Sequence, residues 1–310
     1  MSTLAELLLI DPFPAPIDTR LKTLFTTHQF TTPQELSTIA PRIRGVATGG
    51  GSGLPRAILD SLPNLEIISV NGVGTDQIDL NEAKKRNIRV TTTLGTLTDD
   101  VADMALSLLL ATLRNTVKND SFVRSGQWGA IQPPLARTVR GRKVGIVGFG
   151  NIGQAIAHRV SAFGVELAYF NSRQQPESPI RFEPNLFALA EWADVLILAV
   201  SGGPRSAGMI NADILKALGP DGVLINIARG TVVDEDALLD ALQLGTIAGA
   251  GLDVFQNEPA INPLFLTLQN TVLQAHQASA TLETRSAMGN LMVDNLIAHF
   301  EGKPLLTPIL

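Results

Sequence analysis

The stretch from Lys143 to Arg173, KVGIVGFGNIGQAIAHRVSAFGVELAYFNSR, constrains the fold more than any other part of the chain. Val144, Ile146 and Val147 form a short apolar run that stops at Gly148-Phe149-Gly150-Asn151-Ile152-Gly153, after which Ile152, Ile156, Val160 and Phe163 recur at helical spacing. Strand, glycine turn, helix and second strand in this order make a nucleotide-binding βαβ half. In such a unit Gly148 allows the tight turn, Gly150 lets the backbone approach a pyrophosphate, and Gly153 lets the helix pack closely on the strand. Asn151 and Ile152 open the helix, whose N-terminus offers free N–H groups to an anion.

The end of the second strand, Tyr169-Phe170-Asn171-Ser172-Arg173, bears on which dinucleotide fits. A site for NAD usually places an Asp or Glu about 20 residues past the first glycines, to bond the ribose 2′-OH. Asn171 stands there instead. Without a carboxylate to repel a 2′-phosphate, and with Ser172 and Arg173 able to donate to one, NADPH is favoured, NADH remaining possible and weaker. The bland alternative makes Asn171 a turn residue and Arg173 a solvated charge.

A chain of 310 residues, 45% hydrophobic, is long for one domain and ample for two cores. A net charge of -5 offers no electrostatic footprint for nucleic acid or an anionic membrane. The absence of cysteine excludes disulfides, thiolate metal sites and a Cys nucleophile, and fits a cytoplasmic location. The N-terminal MSTLAELLLIDPFPAP lacks the basic start and the apolar length of a signal peptide or membrane span.

Up to about residue 95, strands are expected at Leu7 to Ile10, Gly45 to Thr48, Leu65 to Val70 and Ile88 to Val90. Helices are expected at Pro33 to Ala40, Leu54 to Ser61 and Leu80 to Arg86. Such alternation implies a doubly wound parallel sheet with ligands at the carboxyl ends of its strands. At one such end, Thr48 to Gly53 has the glycines of a phosphate cradle but lacks the Lys-Ser/Thr of a P-loop, so it reads as a flexible turn. At another, Asn71 to Asp76 leaves consecutive N–H groups able to form a carboxylate-binding nest, and an ordinary turn fits equally well.

Thr98 to Lys118 reads as one long helix capped by Thr98, with Asp99, Asp100 and Asp103 explained by the helix start rather than by metal; no metal site is expected. The polar segment from Ser125 to Arg140 is expected at a surface or a subunit contact. Alternation then resumes, with strands at Val195 to Val200, Gly222 to Ile227 and Ala248 to Leu252 and helices at Ala212 to Leu218 and Glu235 to Leu244. Arg229 follows a central strand at the edge where a cofactor domain meets its substrate, though a solvated strand-exit Arg reads the same way. Glu258 and His276 each follow a further apolar strand. Of four histidines, only His276 follows a strand in this half, which makes it the acid/base candidate. Thr281 to Phe300 forms one more amphipathic helix.

In combination, GVGTD at 72 to 76, GFGNIG at 148 to 153, INIARG at 225 to 230, LDVFQNEP at 252 to 259 and AHQASATLETR at 275 to 285 resemble the D-isomer-specific 2-hydroxyacid dehydrogenase family. TLTDDVAD at 96 to 103, the Asn-Ser-Arg strand end and the GKPLLTP tail resemble its NADPH-using glyoxylate/hydroxypyruvate and hydroxyphenylpyruvate reductases. The resemblance implies two doubly wound parallel-sheet, Rossmann-like domains. Residues 1–95 and 281–310 would form a discontinuous substrate-binding domain around a dinucleotide-binding domain at 96–280, and two copies would form a homodimer. It implies that Arg229 binds a small 2-oxo acid together with the amides of Val73 and Gly74, that His276 protonates the carbonyl and that Glu258 pairs with the imidazolium. Asp253 would orient the nicotinamide carboxamide, with Ile227 and Ala228 along the cofactor. Gln256 departs from the Glu common in the family, and AHQAS from its usual Pro-His pattern. Alternatives are an NADH-dependent relative of the phosphoglycerate dehydrogenase kind and a dinucleotide-sensing corepressor-type binding protein.

Overall fold

The computed structural model describes residues 4–310, so the first three residues of the expected 1–95 segment lie outside the described residues. The chain divides into two compact units, Met1–Leu97 with Thr281–Leu310, and Thr98–Ala280.

The first unit is built from β1 (Glu6–Leu9), α1 (Ala15–Leu24), β2 (Thr26–Gln29), α2 (Pro33–Ile39), β3 (Ile43–Gly49), α3 (Arg56–Ser61), β4 (Ile67–Asn71), α4 (Leu80–Lys85) and β5 (Arg89–Thr91). The second holds α5 (Thr98–Leu113), α6 (Thr116–Arg124), β6 (Lys143–Val147), α7 (Asn151–Ser161), β7 (Glu166–Phe170), β8 (Arg181–Phe182), α8 (Leu186–Trp192) and β9 (Val195–Leu198). It continues through α9 (Ala212–Leu218), β10 (Val223–Asn226), α10 (Glu235–Gln243), β11 (Gly249–Leu252) and β12 (Thr271–Leu273), before α11 (Leu282–Phe300) returns to the first unit.

Both sheets are parallel throughout. The first has five strands in the order β2-β1-β3-β4-β5, the second seven in the order β12-β11-β10-β9-β6-β7-β8. Strands such as VLIL of β9 and VLIN of β10 are buried at every position, as expected where helices cover both faces. In each sheet the strand order reverses once, between β1 and β3 in the first and between β6 and β9 in the second. A crevice for ligands opens outside the carboxyl ends at such a switch point.

In the first unit α11 seals one face, where Met292, Val293 and Leu296 pack with Leu7, Leu9, Ile17 and Ile67. The buried Ser69 hydroxyl donates to the Met292 carbonyl at 2.9 Å, tying the returning helix to β4. In the second unit α5 lies against α7 and is fastened to it by Arg159, whose guanidinium meets Asp99 at 2.7 Å and Asp103 at 2.6 Å.

Several expectations for this region need correction. Thr98 is the first residue inside α5 rather than its cap, and Asp99 and Asp103 serve the ion pairs with Arg159 rather than the helix start alone. The single helix expected over Thr98 to Lys118 is two, because Asn115 adopts a left-handed conformation (φ 52°) that ends α5 and starts α6. Asparagine tolerates that conformation better than most residues. The pattern also misses α1, the edge strand β2, the two-residue β8 and α8.

Candidate active site

Three neighbouring strands carry the three candidate residues marked by the sequence. The register pairs Asn226 of β10 with Leu252 of β11 and Leu252 with Leu273 of β12, so all three strands end level. Arg229, Glu258 and His276 follow those ends in turn, and the fold brings them to one edge of one sheet. Proximity here is a consequence of register, not of sequence distance.

Each loop is held by side chains that reach its backbone. Buried Asn226 accepts from the Ala228 amide and donates to the Arg229 carbonyl, both at 3.0 Å, which fixes the turn that carries Arg229. A Cβ at Gly230 would lie 1.9 Å from the backbone of Phe255, so only glycine lets the Arg229 turn touch the loop leading to Glu258. Gln256 adds a bridge from that loop, its side chain donating to the Val233 carbonyl at 2.9 Å.

Asp253 is fully buried, and its carboxylate accepts from the amides of Gln277 at 2.7 Å and Ala278 at 3.0 Å. Burial pushes its pKa up, over the opposition of those two amides. The Asp253 carbonyl also takes the His276 amide at 2.8 Å. This clamp explains how His276 sustains a left-handed backbone (φ 54°), a conformation that costs a non-glycine residue energy and persists where the surroundings determine it. Asp253, Asn226 and Gln256 thus shape the loops; the sequence points Asp253 only toward a cofactor contact and gives no sign of a role for Asn226.

His276 Nδ1 lies 2.6 Å from Glu258 Oε2, while Glu258 Oε1 accepts from the Phe255 amide at 2.8 Å. Partial burial opposes ionisation of Glu258. The bond to His276, the Phe255 amide and the charges of His276 and Arg229 outweigh it and hold the carboxyl below its ordinary range. The Arg229 guanidinium donates to the Ala228 carbonyl at 2.7 Å, and Ile227 and Ala228 are buried beside it. The other histidines have different surroundings: His28 sits 2.7 Å from Glu6, His299 3.1 Å from Glu66, and His158 is exposed on α7.

The glycine turn after β6 occupies the switch point. Gly148 has φ 93°, and a Cβ there would lie 2.6 Å from the Val200 amide beyond β9. A Cβ at Gly153 would lie 2.1 Å from the Gly148 carbonyl oxygen. Gly150 is exposed with no atom within 4 Å of its missing side chain, and no side chain caps the eleven-residue α7 that begins at Asn151 and Ile152. Phe149 stacks on Tyr169 with ring centroids 3.9 Å apart, locking the turn to β7. A crowded interior and a bare outer rim fit a dinucleotide pyrophosphate. At the end of β7, Asn171 donates to the Arg173 carbonyl at 3.1 Å, a bond that shapes the turn. Ser172 and Arg173 are exposed there, and Arg173 forms no ion pair among the described residues.

In the first unit, Val73 and Gly74 follow β4, and their amides make no hydrogen bond among the described residues. The loop from Thr48 to Gly53 is the turn expected, and side chains brace it. Thr48 donates to the Gly53 carbonyl at 2.5 Å and the Gly49 amide to the Asp11 carboxylate at 2.6 Å. No group of His, Cys, Asp and Glu among the described residues has the form of a metal site.

The model of the D-isomer specific 2-hydroxyacid dehydrogenase NAD-binding domain matches residues 106–278. The chain is 64% identical over 310 residues to 2-ketogluconate reductase from Gluconobacter oxydans, with 100% of each covered. It is 40% identical over 306 residues to a glyoxylate/hydroxypyruvate reductase from Arabidopsis thaliana, covering 97% of this chain and 98% of that one. Among solved structures, an NADPH-dependent glyoxylate/hydroxypyruvate reductase from Sinorhizobium meliloti, in complex with NADP and malonate, gives a TM-score of 0.93 at 41% identity. That match covers 99% of this chain and 97% of the other. The sheet topology and glycine turn thus mark a dinucleotide-binding oxidoreductase. More narrowly, the chain belongs to the D-isomer specific 2-hydroxyacid dehydrogenase family.

Proposed function

We propose that this protein reduces a small 2-oxo acid of the glyoxylate, hydroxypyruvate or hydroxyphenylpyruvate type to the D-2-hydroxy acid, with NADPH preferred over NADH. The observation that carries this reading is the Glu258–His276 bond of 2.6 Å on the sheet edge that also bears Arg229.

The reduced nicotinamide, when bound, supplies a hydride. Gly148, Gly150, Asn151, Ile152 and Gly153 would hold its pyrophosphate, Ser172 and Arg173 the 2′-phosphate on a turn shaped by Asn171, and Ile227, Ala228 and Asp253 would border the nicotinamide. Arg229 binds the substrate through carboxylate and carbonyl oxygen, fixing the carbonyl carbon for attack, and the Val73 and Gly74 amides share the carboxylate. With Nδ1 committed to Glu258, Nε2 of protonated His276 gives its proton to the carbonyl oxygen as charge develops there, so no full alkoxide forms. Anionic Glu258 pairs with the charged ring and holds its orientation. The exposed apolar residues Trp128, Ile131 and Leu135 on the segment after α6 support a homodimer.

The test is a panel of glyoxylate, hydroxypyruvate, hydroxyphenylpyruvate and 2-ketogluconate with each coenzyme, followed by nicotinamide absorbance. The Gluconobacter and Arabidopsis relatives make 2-ketogluconate and the glyoxylate pair the substrates to try first. Turnover with NADPH exceeding that with NADH is expected, and Arg173→Ala should weaken NADPH about tenfold to hundredfold while sparing NADH. Equal use of both coenzymes by the wild type would remove the 2′-phosphate assignment; no turnover at all would remove the reductase.

A further inference from the structure

The sequence marks Thr48 to Gly53 as a glycine-rich turn, and the fold builds it as a braced arch. It follows β3 at the switch point of the first sheet, beside the end of β1, where Asp11 lies. The Asp11 carboxylate spans the loop: Oδ2 accepts from the Gly49 amide at 2.6 Å and Oδ1 from the Ser52 hydroxyl at 2.5 Å. The Gly53 amide closes the arch onto the Gly49 carbonyl at 3.0 Å.

The apex rests on a second glycine loop. A Cβ at Gly72 would lie 3.0 Å from Gly50 Cα, and one at Gly50 would lie 3.5 Å from the Gly74 amide nitrogen. Two backbones therefore pack directly on each other, with no side chain between them to set the spacing. Gly50 and Gly51, like Val73 and Gly74, direct no amide to any partner among the described residues. Bare backbone of this kind keeps its position only if something outside it does the holding, since each glycine retains more conformational freedom than other residues.

We infer that Asp11 is a positioning residue for substrate binding: through Gly49 and Ser52 it holds the arch against Gly72–Gly74 and so fixes the Val73 and Gly74 amides. This rests on the proposal above that those amides receive the carboxylate of a 2-oxo acid. The role assigned to Asp11 runs through the loops and needs no contact with substrate or coenzyme. The cost of removing it arises in ordering the two loops when substrate arrives, so it falls on substrate affinity rather than on turnover at saturation.

The experiment compares wild type with Asp11→Ala, Asp11→Asn and Ser52→Ala, using NADPH and glyoxylate, with melting temperature and amide hydrogen exchange over residues 49–53 and 72–74 recorded for each. Asp11→Ala should raise the KM for glyoxylate about tenfold, through loss of the bonds from Gly49 and Ser52 and the long 3.4 Å contact from Thr48 to a charged acceptor, with kcat and the KM for NADPH within about twofold. Asp11→Asn, which keeps one accepting oxygen, and Ser52→Ala, which loses one exposed strut, should fall between. Faster exchange in both glycine loops should accompany the rise in KM. An unchanged KM in Asp11→Ala, or losses in KM for both substrates and in melting temperature that run in parallel, would overturn the role. If the wild type itself turned over no 2-oxo acid, the parent proposal would fail first and take this one with it, and that result is separate from an active wild type with an indifferent Asp11→Ala.

Discussion

Two glycine-rich turns, Gly148 to Gly153 after β6 and Gly49 to Gly53 after β3, stand at the switch points of their respective sheets and are spelled alike. Their surroundings are opposite. The first is packed from inside by Val200 and its own carbonyl, opens at Gly150, and runs straight into an uncapped helix of eleven residues. The second carries a carboxylate, Asp11, on its amide and hydroxyl, and two further residues separate it from the six-residue α3. A polyphosphate brought to the second turn would meet a negative charge already bonded to the donors it needs. Glycine content gives backbone access; what the access serves depends on the charge waiting there and on whether a helix dipole stands behind it.

The largest expected effect separates both turns from the chemistry. His276→Gln should lower kcat by about a hundredfold to ten-thousandfold, the usual contribution of a general acid, while both Michaelis constants stay within a few fold. If the KM for NADPH moved with kcat, the edge bearing His276 would be part of coenzyme binding, and turn and edge would no longer divide the labour. Gly153→Ala comes next. Its Cβ would lie 2.1 Å from the Gly148 carbonyl oxygen, an overlap that costs about 1–3 kcal/mol or more. Titration of NADPH by fluorescence should show affinity weakened about tenfold to hundredfold, with glyoxylate binding much less affected.

Glu258→Gln should have a smaller effect with a definite sign. In the folded protein the Glu258 carboxyl titrates below its ordinary range, so the pair stabilises the fold above the ordinary carboxylate pKa and the contribution is lost as pH falls through the depressed value. At neutral pH the residue is therefore anionic beside His276. Replacing it by a neutral amide removes the carboxylate that holds Nδ1 at 2.6 Å, so kcat/KM for reduction should fall about tenfold at neutral pH. A change of less than about twofold would show that the ring keeps its place without the carboxylate.

Most of the architecture is legible in the sequence because it depends on local pattern. Alternating apolar runs and turns announce two parallel sheets, and the helix α9 falls on the expected residues Ala212–Leu218. Elements without such a pattern escape: β2 reads Thr-Thr-His-Gln because it is an edge strand with no fully buried residue, and the break at Asn115 turns on a single φ. The same division runs through the site. Arg229, Glu258 and His276 are visible as polar residues after apolar strands. Asn226, Asp11 and the α5–α7 bridge of Arg159 are not, since each acts through a contact with distant backbone or charge that no local spacing encodes. Asp11 meets its partners 38 and 41 residues away.

The smallest expected effect tests the contrast where it is most exposed. Gly51 sits at the outer side of the arch, where an added Cβ would meet no atom within 4 Å, and it lacks the positive φ that would penalise a side chain. Gly51→Ala should therefore leave the fold intact and should even reduce the freedom of the unfolded chain, a stabilisation of about 0.4–1 kcal/mol where the native conformation is compatible, read as an unchanged or slightly higher melting temperature. Steady-state constants for NADPH should not move. If the KM for 2-oxo acids nevertheless rose, substrate would have to reach the arch itself, which would make this loop a contact surface rather than only a brace behind Val73 and Gly74. The two glycine turns would then be alike in one respect, each meeting its ligand directly through backbone, and would differ only in the sign of the charge that stands behind them.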